Sequence, residues 1–524
     1  MRKLSTLFCA VLMTLSAMAT DYKGNLTVSI NGEGSTQPAT ISIVENAGKY
    51  NLSILNFMLG EGESVLPVGN IVIENVTGAV AGNLTTLYVN KNITIQKGNV
   101  AGIADDDWLG PMLGEVPVKM SSSFNTNGFL GVNIDIDMVS TLGQVIKVTF
   151  ENVGNHFQMP NSDFETWSDK NKAPRHWHGF ESVIGSLSDR AYSETKLVSS
   201  NNVRPGSKGV TSAVVTSTKV VFVIANGTMT NGRLAAGSMS ATNSANHSET
   251  NLSSTDVDAN GDPFATPMYA KPDSVKFWMR FTQAKAQASY SYAAFNAVIT
   301  DSTYYQDPED KDYTNKVAVA APNKADMTVG DWRLVSCPFD YASYAANGAE
   351  AKAILLTVST NATPGKGSYS NGVADSVYVD DLELVYLADI KSVSFKGATL
   401  DLTNTDIDIA DDDVISASDF VVEKIGEDAK VTTLVEANAK GYQAVISVVS
   451  GDLNTQKTLV FNFNKPVWAD GDVNHDGVVD LADVTLLINK VLGADATQLY
   501  NPDVNADGKV DVADVTTLVS LILG

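Results

Sequence analysis

The chain reads DVNHDGVVDLAD at residues 472–483 and DVNADGKVDVAD at residues 503–514. The copies lie at a constant offset of 31 residues, and both have oxygen donors at positions 1, 3, 5, 7, 9 and 12 and glycine at position 6. Calcium takes six to eight oxygen ligands from such a loop, and glycine allows its sharp turn. The predicted ligands are Asp472, Asn474, Asp476, Val478, Asp480 and Asp483, and Asp503, Asn505, Asp507, Lys509, Asp511 and Asp514, with Val478 and Lys509 using backbone carbonyls.

Each loop is followed by an apolar pattern with the period of a helix. The apolar residues are Val484, Leu487, Ile488, Val491 and Leu492 after the first loop, and Val515, Leu518, Val519, Ile522 and Leu523 after the second. Gly493 and Gly524 follow the two patterns, where helices commonly end. One short helix cannot bury such a stripe by itself. We therefore expect the two helices to pack together and calcium binding to promote their folding.

This duplicated loop and helix, over residues 468–524, resembles a type I dockerin. Members of that family bind Ca²⁺ and dock onto cohesin domains, which attaches secreted polysaccharide-degrading proteins to a scaffold or cell surface. They commonly carry Ser or Thr at loop positions 10 and 11, whereas this chain has Leu481-Ala482 and Val512-Ala513. The resemblance implies a cohesin-like partner. The apolar pairs leave a second option open, in which the module docks onto the neighbouring domain of the same chain.

The length and net charge of the chain limit its domain organisation and its partners. A chain of 524 residues is too long for one core, so several domains are expected. Its 60 acidic and 36 basic residues give a net charge of -24, which argues against nucleic acid as a partner. Abundant alternating segments with few helical patterns predict a mainly β, multidomain protein. The mature chain would keep one cysteine, Cys337, so no internal disulfide is expected.

Residues 1–19 have the features of a signal peptide. Arg2 and Lys3 form a basic start, an apolar run follows, and Ala17-Met18-Ala19 matches a cleavage site. The apolar run is too short to span a membrane, and no other run in the sequence approaches the length of a transmembrane segment. We expect the protein to be exported and then secreted or associated with the cell surface.

Residues 20–152 contain short segments in which apolar and polar residues alternate, which predicts antiparallel strands. The eight segments are 25–30, 39–44, 49–54, 69–74, 86–89, 92–95, 131–136 and 144–150. Eight strands suit a closed up-and-down barrel. The layout resembles the calycin-like barrels of secreted proteins from gut Bacteroidetes. Such a barrel either holds a small apolar ligand or is filled by its own side chains.

Residues 156–388 show strand patterns at 161–167, 272–281, 330–339 and 375–384. Their order resembles the jelly-roll domains of carbohydrate-binding modules, and also the carbohydrate-metabolism domain of Bacteroidetes surface proteins. In such modules a structural calcium ion commonly bridges the first and last strands. The resemblance makes Glu165 and Asp381 candidate ligands of a second calcium ion. Alternatively, they are surface carboxylates at strand ends.

Glycan binding requires flat aromatic faces with polar rims. Trp278 and Trp332 lie inside apolar strand patterns and are predicted to be core residues, whereas Trp177 lies in the loop 174–179 and is the predicted glycan platform. The run 232–262 is rich in Ser, Thr, Asn and Ala, which predicts a long surface loop that could border a groove.

Residues 389–466 contain a compact set of strands that predicts a small immunoglobulin-like sandwich. The sequence contains no zinc-hydrolase, nucleophile-elbow or phosphate-loop motif. A glycosidase needs only two well-placed carboxyls, which an acidic β-protein sequence does not reveal. Two hypotheses follow. The first is a non-catalytic, glycan-related protein attached through its dockerin, and the second is a glycoside hydrolase in the jelly-roll region.

Overall fold

The computed structural model describes residues 19–60, 65–152, 157–169, 172–192, 197–220, 223–494 and 499–524. The predicted signal peptide lies outside these residues, except for Ala19. The described chain is mainly β, as predicted, and forms two compact units. The first unit takes the residues up to 392 together with 422–432 and 447–458; the second takes 393–421, 433–446 and 459–524. No described helix has the length and apolar character needed to cross a membrane.

The N-terminal region of the first unit is a closed eight-stranded barrel, as predicted. Each strand pairs with the next in antiparallel register, and the barrel closes where Gly24 pairs with Asn152. The elements are β1 (Ala19–Ile30), β2 (Glu33–Asn46), β3 (Lys49–Leu59), β4 (Leu66–Ala81), β5 (Leu84–Thr94), α1 (Leu109–Met112), β6 (Glu115–Asn125), β7 (Leu130–Met138), α2 (Val139–Leu142) and β8 (Gln144–Asn152).

The predicted strand count is right, but two of the predicted strands are wrong. The segments 86–89 and 92–95 are parts of the single strand β5, because Asn90, Lys91 and Asn92 continue its pairing with β6. Strand β6 was not predicted, since it contains Pro117 and three consecutive serines. The total of eight strands is still right, because one strand was predicted twice and another was missed.

Apolar side chains fill the interior of the barrel. Alternate residues of every strand point inward, and Leu26, Ile41, Leu52, Ile73 and Met120 are among the side chains that are almost completely buried there. Of the two options that the sequence left open, this packing favours a barrel filled by its own side chains over one that holds a ligand.

The middle region of the first unit is a β-sandwich. Its elements are α3 (Ser188–Tyr192), β9 (Leu197–Ser200), β10 (Ser212–Thr216), β11 (Thr218–Val220), β12 (Val223–Ala225), β13 (Thr228–Thr230), β14 (Arg233–Ala236), β15 (Asn246–Thr250), β16 (Thr266–Pro267), β17 (Ser274–Thr282), β18 (Ala294–Thr300), β19 (Tyr305–Asp307), β20 (Lys316–Ala320), β21 (Gly330–Pro338), β22 (Ala353–Ser359), β23 (Tyr369–Ser370), β24 (Val373–Ala374) and β25 (Ser376–Val385). One sheet has the order β21-β17-β25-β10-β9, and the other has the order β13-β22-β18-β20 with β16 beside β22. The core lies between these sheets, where Phe277 stacks on Phe295.

Two expectations for the middle region are wrong. Residues 161–167 form turns instead of an opening strand, with Asn161 and Phe164 at positive φ, although Ser162 accepts a hydrogen bond from the backbone of Leu382 in β25. The run 232–262 is not one loop, because it contains the antiparallel pair β14 and β15.

The third module contributes strands to both units. Its strands are β26 (Asp389–Phe395), β27 (Ala398–Thr399), β28 (Asp406–Asp408), β29 (Phe420–Ile425), β30 (Lys430–Asn438), β31 (Gly441–Val449) and β32 (Gln456–Asn464). They form a three-stranded sheet in the order β27-β26-β29 and a four-stranded sheet in the order β28-β32-β31-β30. Two helices end the chain, α4 (Leu481–Val491) and α5 (Val512–Leu523).

Candidate calcium loops and docking face

The first and last acidic residues of the first loop hold its backbone together. The Asp472 carboxylate accepts hydrogen bonds from the backbone N–H groups of Asp476 (3.2 Å) and Gly477 (3.0 Å). The Asp483 carboxylate accepts from Asn474 (3.1 Å) and Asp480 (2.9 Å). Both side chains are buried. The chain from position 1 to position 12 is therefore folded around these two carboxylates.

The second loop repeats this network atom for atom. Asp503 accepts from the backbone of Asp507 (3.1 Å) and Gly508 (2.8 Å), and Asp514 accepts from Asn505 (3.1 Å) and Asp511 (2.8 Å). Burial alone would raise the pKa of Asp514, but the backbone N–H donors outweigh it and lower the pKa below its ordinary value. This carboxylate is thus held in its charged form.

The backbone of each loop turns at positions 4 and 6. Gly477 and Gly508, at position 6, have φ angles of 90° and 86°, as the sequence predicted. His475 and Ala506, at position 4, both have φ of 56°, which nothing in their residue types predicted. The same pair of left-handed residues in both copies shows that the loops adopt one conformation.

Each loop also starts its own helix. The carboxylates of Asp480 and Asp511, at position 9, accept from the backbone of Ala482 (2.7 Å) and Ala513 (2.8 Å) and so cap α4 and α5. The position-12 aspartate completes a capping box in both helices. The Asp-x-x-Asp spacing could have predicted these caps from the sequence alone.

The loops have the chemistry of a calcium site. Within the described chain, no three or more His, Cys, Asp or Glu side chains converge as metal ligands, and the loop carboxylates accept backbone N–H bonds. Nevertheless, Asp472 and Asp483 are buried, and no cationic side chain of the described residues pairs with them. Buried charge needs a compensating partner. A hard cation with oxygen ligands suits this donor set.

The helices pack as predicted, but only part of each apolar stripe is buried. Val484, Leu487 and Leu518 form the core between α4 and α5. Leu492 and Leu523, at the ends of the stripes, are 76% and 80% exposed. The core of the module is therefore small, which leaves much of its stability to the loops.

The apolar residues at loop positions 10 and 11 are exposed in both repeats and are together named the docking face: Leu481, Ala482, Val512 and Ala513. Leu481 is 74% exposed and Val512 is 66% exposed. These exposed pairs are free to meet a partner, and the two options for that partner, a cohesin-like domain or the neighbouring domain of the same chain, both stay predictions.

Stacked rings support the first loop from two other parts of its own module. The imidazole of His475 stacks on Trp468 with 4.5 Å between ring centroids, and on Tyr500 with 3.9 Å. Its Nδ1 lies 3.6 Å from a carboxylate oxygen of Asp411, which follows β28. Sequence analysis missed this cluster because its members lie far apart in the chain.

Comparison with known families identifies two of the modules. Residues 18–153 match the model of the calycin-like beta-barrel domain, and residues 470–523 match that of the dockerin type I domain. The chain therefore contains a calycin-like barrel and a type I dockerin. Type I dockerins are calcium-binding domains, which agrees with the donor set of the two loops. No curated protein matches the chain.

Two solved structures are similar over much of their length. One is a candidate outer membrane protein from Bacteroides fragilis, at 9% identity and a TM-score of 0.17, with 65% of this chain and 96% of that chain covered. The other is the N-terminal CBM22-1-CBM22-2 tandem of Xyn10C from Paenibacillus barcinonensis, at 12% identity and a TM-score of 0.19, with 70% and 92% covered. Similarity at these TM-scores bears on neither fold nor function.

Trp177 and Trp278 do not take the positions that the sequence predicted. Trp177 is completely buried, packs against Phe164 and donates from Nε1 to the carbonyl of Pro160 (3.1 Å), so the prediction of a glycan platform is wrong. Trp278, predicted to be core, lies on the outward face of β17, where the Arg204 guanidinium covers its ring. Both predictions for these tryptophans are therefore wrong.

Glu165 and Asp381, the predicted ligands of a second calcium ion, both have partners within the protein. Arg204 pairs with the Asp381 carboxylate, and Glu165 accepts from the backbone N–H groups of Val210 (3.0 Å) and Thr211 (2.9 Å). This pairing agrees with the alternative that they are carboxylates at strand ends, and the second calcium site stays a prediction. The neighbouring Asp380 is fully buried, and burial raises its pKa to about 6.

Proposed function

We propose that the C-terminal module, loaded with calcium, docks onto a cohesin-like domain of another protein and thereby attaches this exported chain to a scaffold or cell surface. The exposure of the docking face carries the proposal. Leu481 and Val512 each begin a helix immediately after a loop, and both remain in solvent although they are large and apolar. Large apolar side chains that stay exposed at equivalent positions of both repeats are candidates for an interaction surface.

The ligands assigned to Ca²⁺ are the twelve loop residues given above. Bound calcium would supply positive charge between the carboxylates of each loop. The residues of the chain do the rest: Gly477 and Gly508 turn the loops, and Asp480 and Asp511 fix the start of each helix. The loops thus determine where Leu481 and Val512 project, so docking should require calcium.

The apolar pairs also indicate the chemistry of the partner. Dockerins with Ser or Thr at these positions offer hydroxyl groups, whereas Leu481, Ala482, Val512 and Ala513 offer only carbon to a partner side chain. We therefore propose a cohesin-like partner with an apolar contact surface, because polar groups on it would lose water without gaining a hydrogen bond.

The test is binding of the double variant Leu481→Asp/Val512→Asp to immobilised type I cohesin domains in calcium. Aspartate suits the first turn of a helix, so α4 and α5 should still form. We expect a loss of roughly 100-fold or more, since two central apolar contacts are removed. The control Val467→Asp changes a side chain that is 91% exposed and outside the docking face, and should bind like the wild type. Equal affinity of the double variant, or no binding by the wild type, would overturn the proposal.

The alternative function, a glycoside hydrolase in the middle region, needs two carboxyls facing each other across a bound sugar. A cavity of about 530 Å³ in that region is lined, among the described residues, by one acidic side chain, Asp307. The exposed docking face favours attachment, and no comparable observation favours a glycosidase in the middle region. Attachment is therefore the function that the geometry supports best.

A further inference from the structure

A cavity of about 530 Å³ lies on the sandwich face that points away from the core. Its floor is the polar end of the sheet β13-β22-β18, and its walls come from β14, β15, α3 and the turn at Phe180. The volume is within the range of about 300–1,000 Å³ that is typical of small-molecule sites. No function described above uses this cavity.

Strand alternation makes the floor polar. Met229, Phe295 and Val358 point into the core of the sandwich. Their neighbours along the strands point the other way, and five of these residues line the cavity: Thr228, Ala294, Asn296, Thr357 and Ser359. The opposite wall is apolar, with Phe180, Leu187, Leu234 and Met239. The cavity thus has one hydrogen-bonding side and one apolar side.

The polar side has unused hydrogen-bonding capacity. The amide nitrogen of Asn226 donates to the carbonyl of Asn361 (2.7 Å), which fixes the orientation of the amide. Its Oδ1, and the hydroxyl of Thr357, are buried and have no partner within the described residues. Buried polar atoms almost always have a partner. Both side chains border the cavity, so a ligand placed there could supply hydrogen bonds to them.

The charges of the cavity favour a neutral ligand. Asn296 donates to Oδ2 of Asp307 (2.9 Å), and burial raises the pKa of this carboxyl. The ring nitrogens of His247 lie 2.8 Å from the carbonyl of Ser244 and 3.1 Å from the carboxylate of Glu249. Glu249 therefore balances any positive charge on this imidazole. The raised pKa holds Asp307, the one acidic side chain among the described lining residues, toward its uncharged form, which suits a neutral ligand better than a cation.

We propose that this cavity binds a neutral carbohydrate of about one or two pyranose rings. A pyranose has hydroxyl groups that both donate and accept, which match the carboxyl, amide and hydroxyl groups of the floor, and an apolar C–H face that matches Phe180 and Met239. Asp307 is assigned as the main acceptor for a sugar hydroxyl. The cavity and the docking face share no residue, so this site is independent of the proposed docking function.

The test is calorimetric titration of the full chain with cellobiose, mannobiose and diacetylchitobiose as neutral probes, and with glucosamine and digalacturonate as charged probes. Asp307→Asn keeps an acceptor for Asn296 but replaces the carboxyl by an amide, and should weaken sugar binding by roughly 10-fold or more. Thr357→Val removes a hydroxyl that has no protein partner. It should therefore leave the thermal midpoint unchanged or higher while weakening binding by roughly 2- to 10-fold.

Asp312→Asn is the matched control, because Asp312 is exposed and lies outside the cavity. Binding of a neutral probe that Asp307→Asn and Thr357→Val weaken and Asp312→Asn does not would support the site. Three results would overturn it: no binding of any neutral probe, stronger binding of a charged probe, or wild-type affinity in both cavity variants. Thr357→Val keeps the test decisive if Asp307→Asn does not fold.

Discussion

The two calcium loops have the same ligands and the same backbone but different surroundings. At position 4 the first loop has His475, which lies between Trp468 and Tyr500 beside Asp411. The second loop has Ala506 there, which is exposed. The first loop is therefore supported by side chains outside itself, whereas the second depends on its own hydrogen bonds and on α5.

This difference shows that duplicated ligand sets need not give equivalent sites. A loop whose backbone is already held in place loses less conformational freedom when it binds an ion, so its affinity is higher. We therefore expect the first loop to bind calcium more tightly than the second and to stay ordered at lower calcium concentrations. The first prediction below tests the role of the ions in both loops, and the other two test this asymmetry.

The largest expected effect comes from removing both ions. The double variant Asp472→Ala/Asp503→Ala should lose both calcium sites in calorimetric titration. Residues 470–524 should also lose their protection from hydrogen exchange, because the three buried side chains of the helix core are too few to hold the module alone. A chelator should have the same effect on the wild type. Asp470→Ala, which removes an exposed carboxylate just outside the loop, should change neither result. Persisting protection would contradict the role given to the ions.

The ligand set was predictable because it is local. Spacing within twelve residues contains the whole loop, including Gly477 and Gly508, and the helices follow from the stripes. The stacked cluster was not predictable, since Asp411, Trp468, His475 and Tyr500 come together only in the fold. Sequence patterns identified the apolar pairs but not which surface of the module faces the third module.

Comparison of the single variants should show a smaller, unequal effect. Asp503→Ala leaves the first loop and Asp472→Ala leaves the second, so each should bind one calcium ion. We expect the ion that remains in Asp503→Ala to bind roughly 10-fold more tightly, because the ring stack already orders the first loop. Calorimetry measures both affinities under the same conditions. Equal affinities, or tighter binding in Asp472→Ala, would show that the stack does not assist the loop.

In the β regions, local patterns predicted the barrel better than they predicted individual strands. Alternation is visible in short segments, but polar residues such as Asn90 and Asn92 look like a turn until pairing with β6 is known. The outward position of Trp278 was available in the sequence, because Val275, Phe277 and Met279 alternate with it. The cavity could not be predicted from the sequence, since its lining comes from residues between 180 and 365 that only the sandwich fold brings together.

The smallest expected effect comes from exchanging the residues at position 4. His475→Ala removes the central ring of the stack, and should lower the free energy of unfolding of the calcium-loaded module by about 1–2 kcal/mol. Ala506→His places a ring in solvent on the second loop, and should change the free energy of unfolding by less than about 0.5 kcal/mol. Hydrogen exchange of α4 and α5 in the full chain measures both. His475 and Ala506 have the same φ, so the two exchanges compare matched backbone positions with and without rings around them. Equal losses would mean that position 4 acts through the loop backbone and that the two repeats are equivalent.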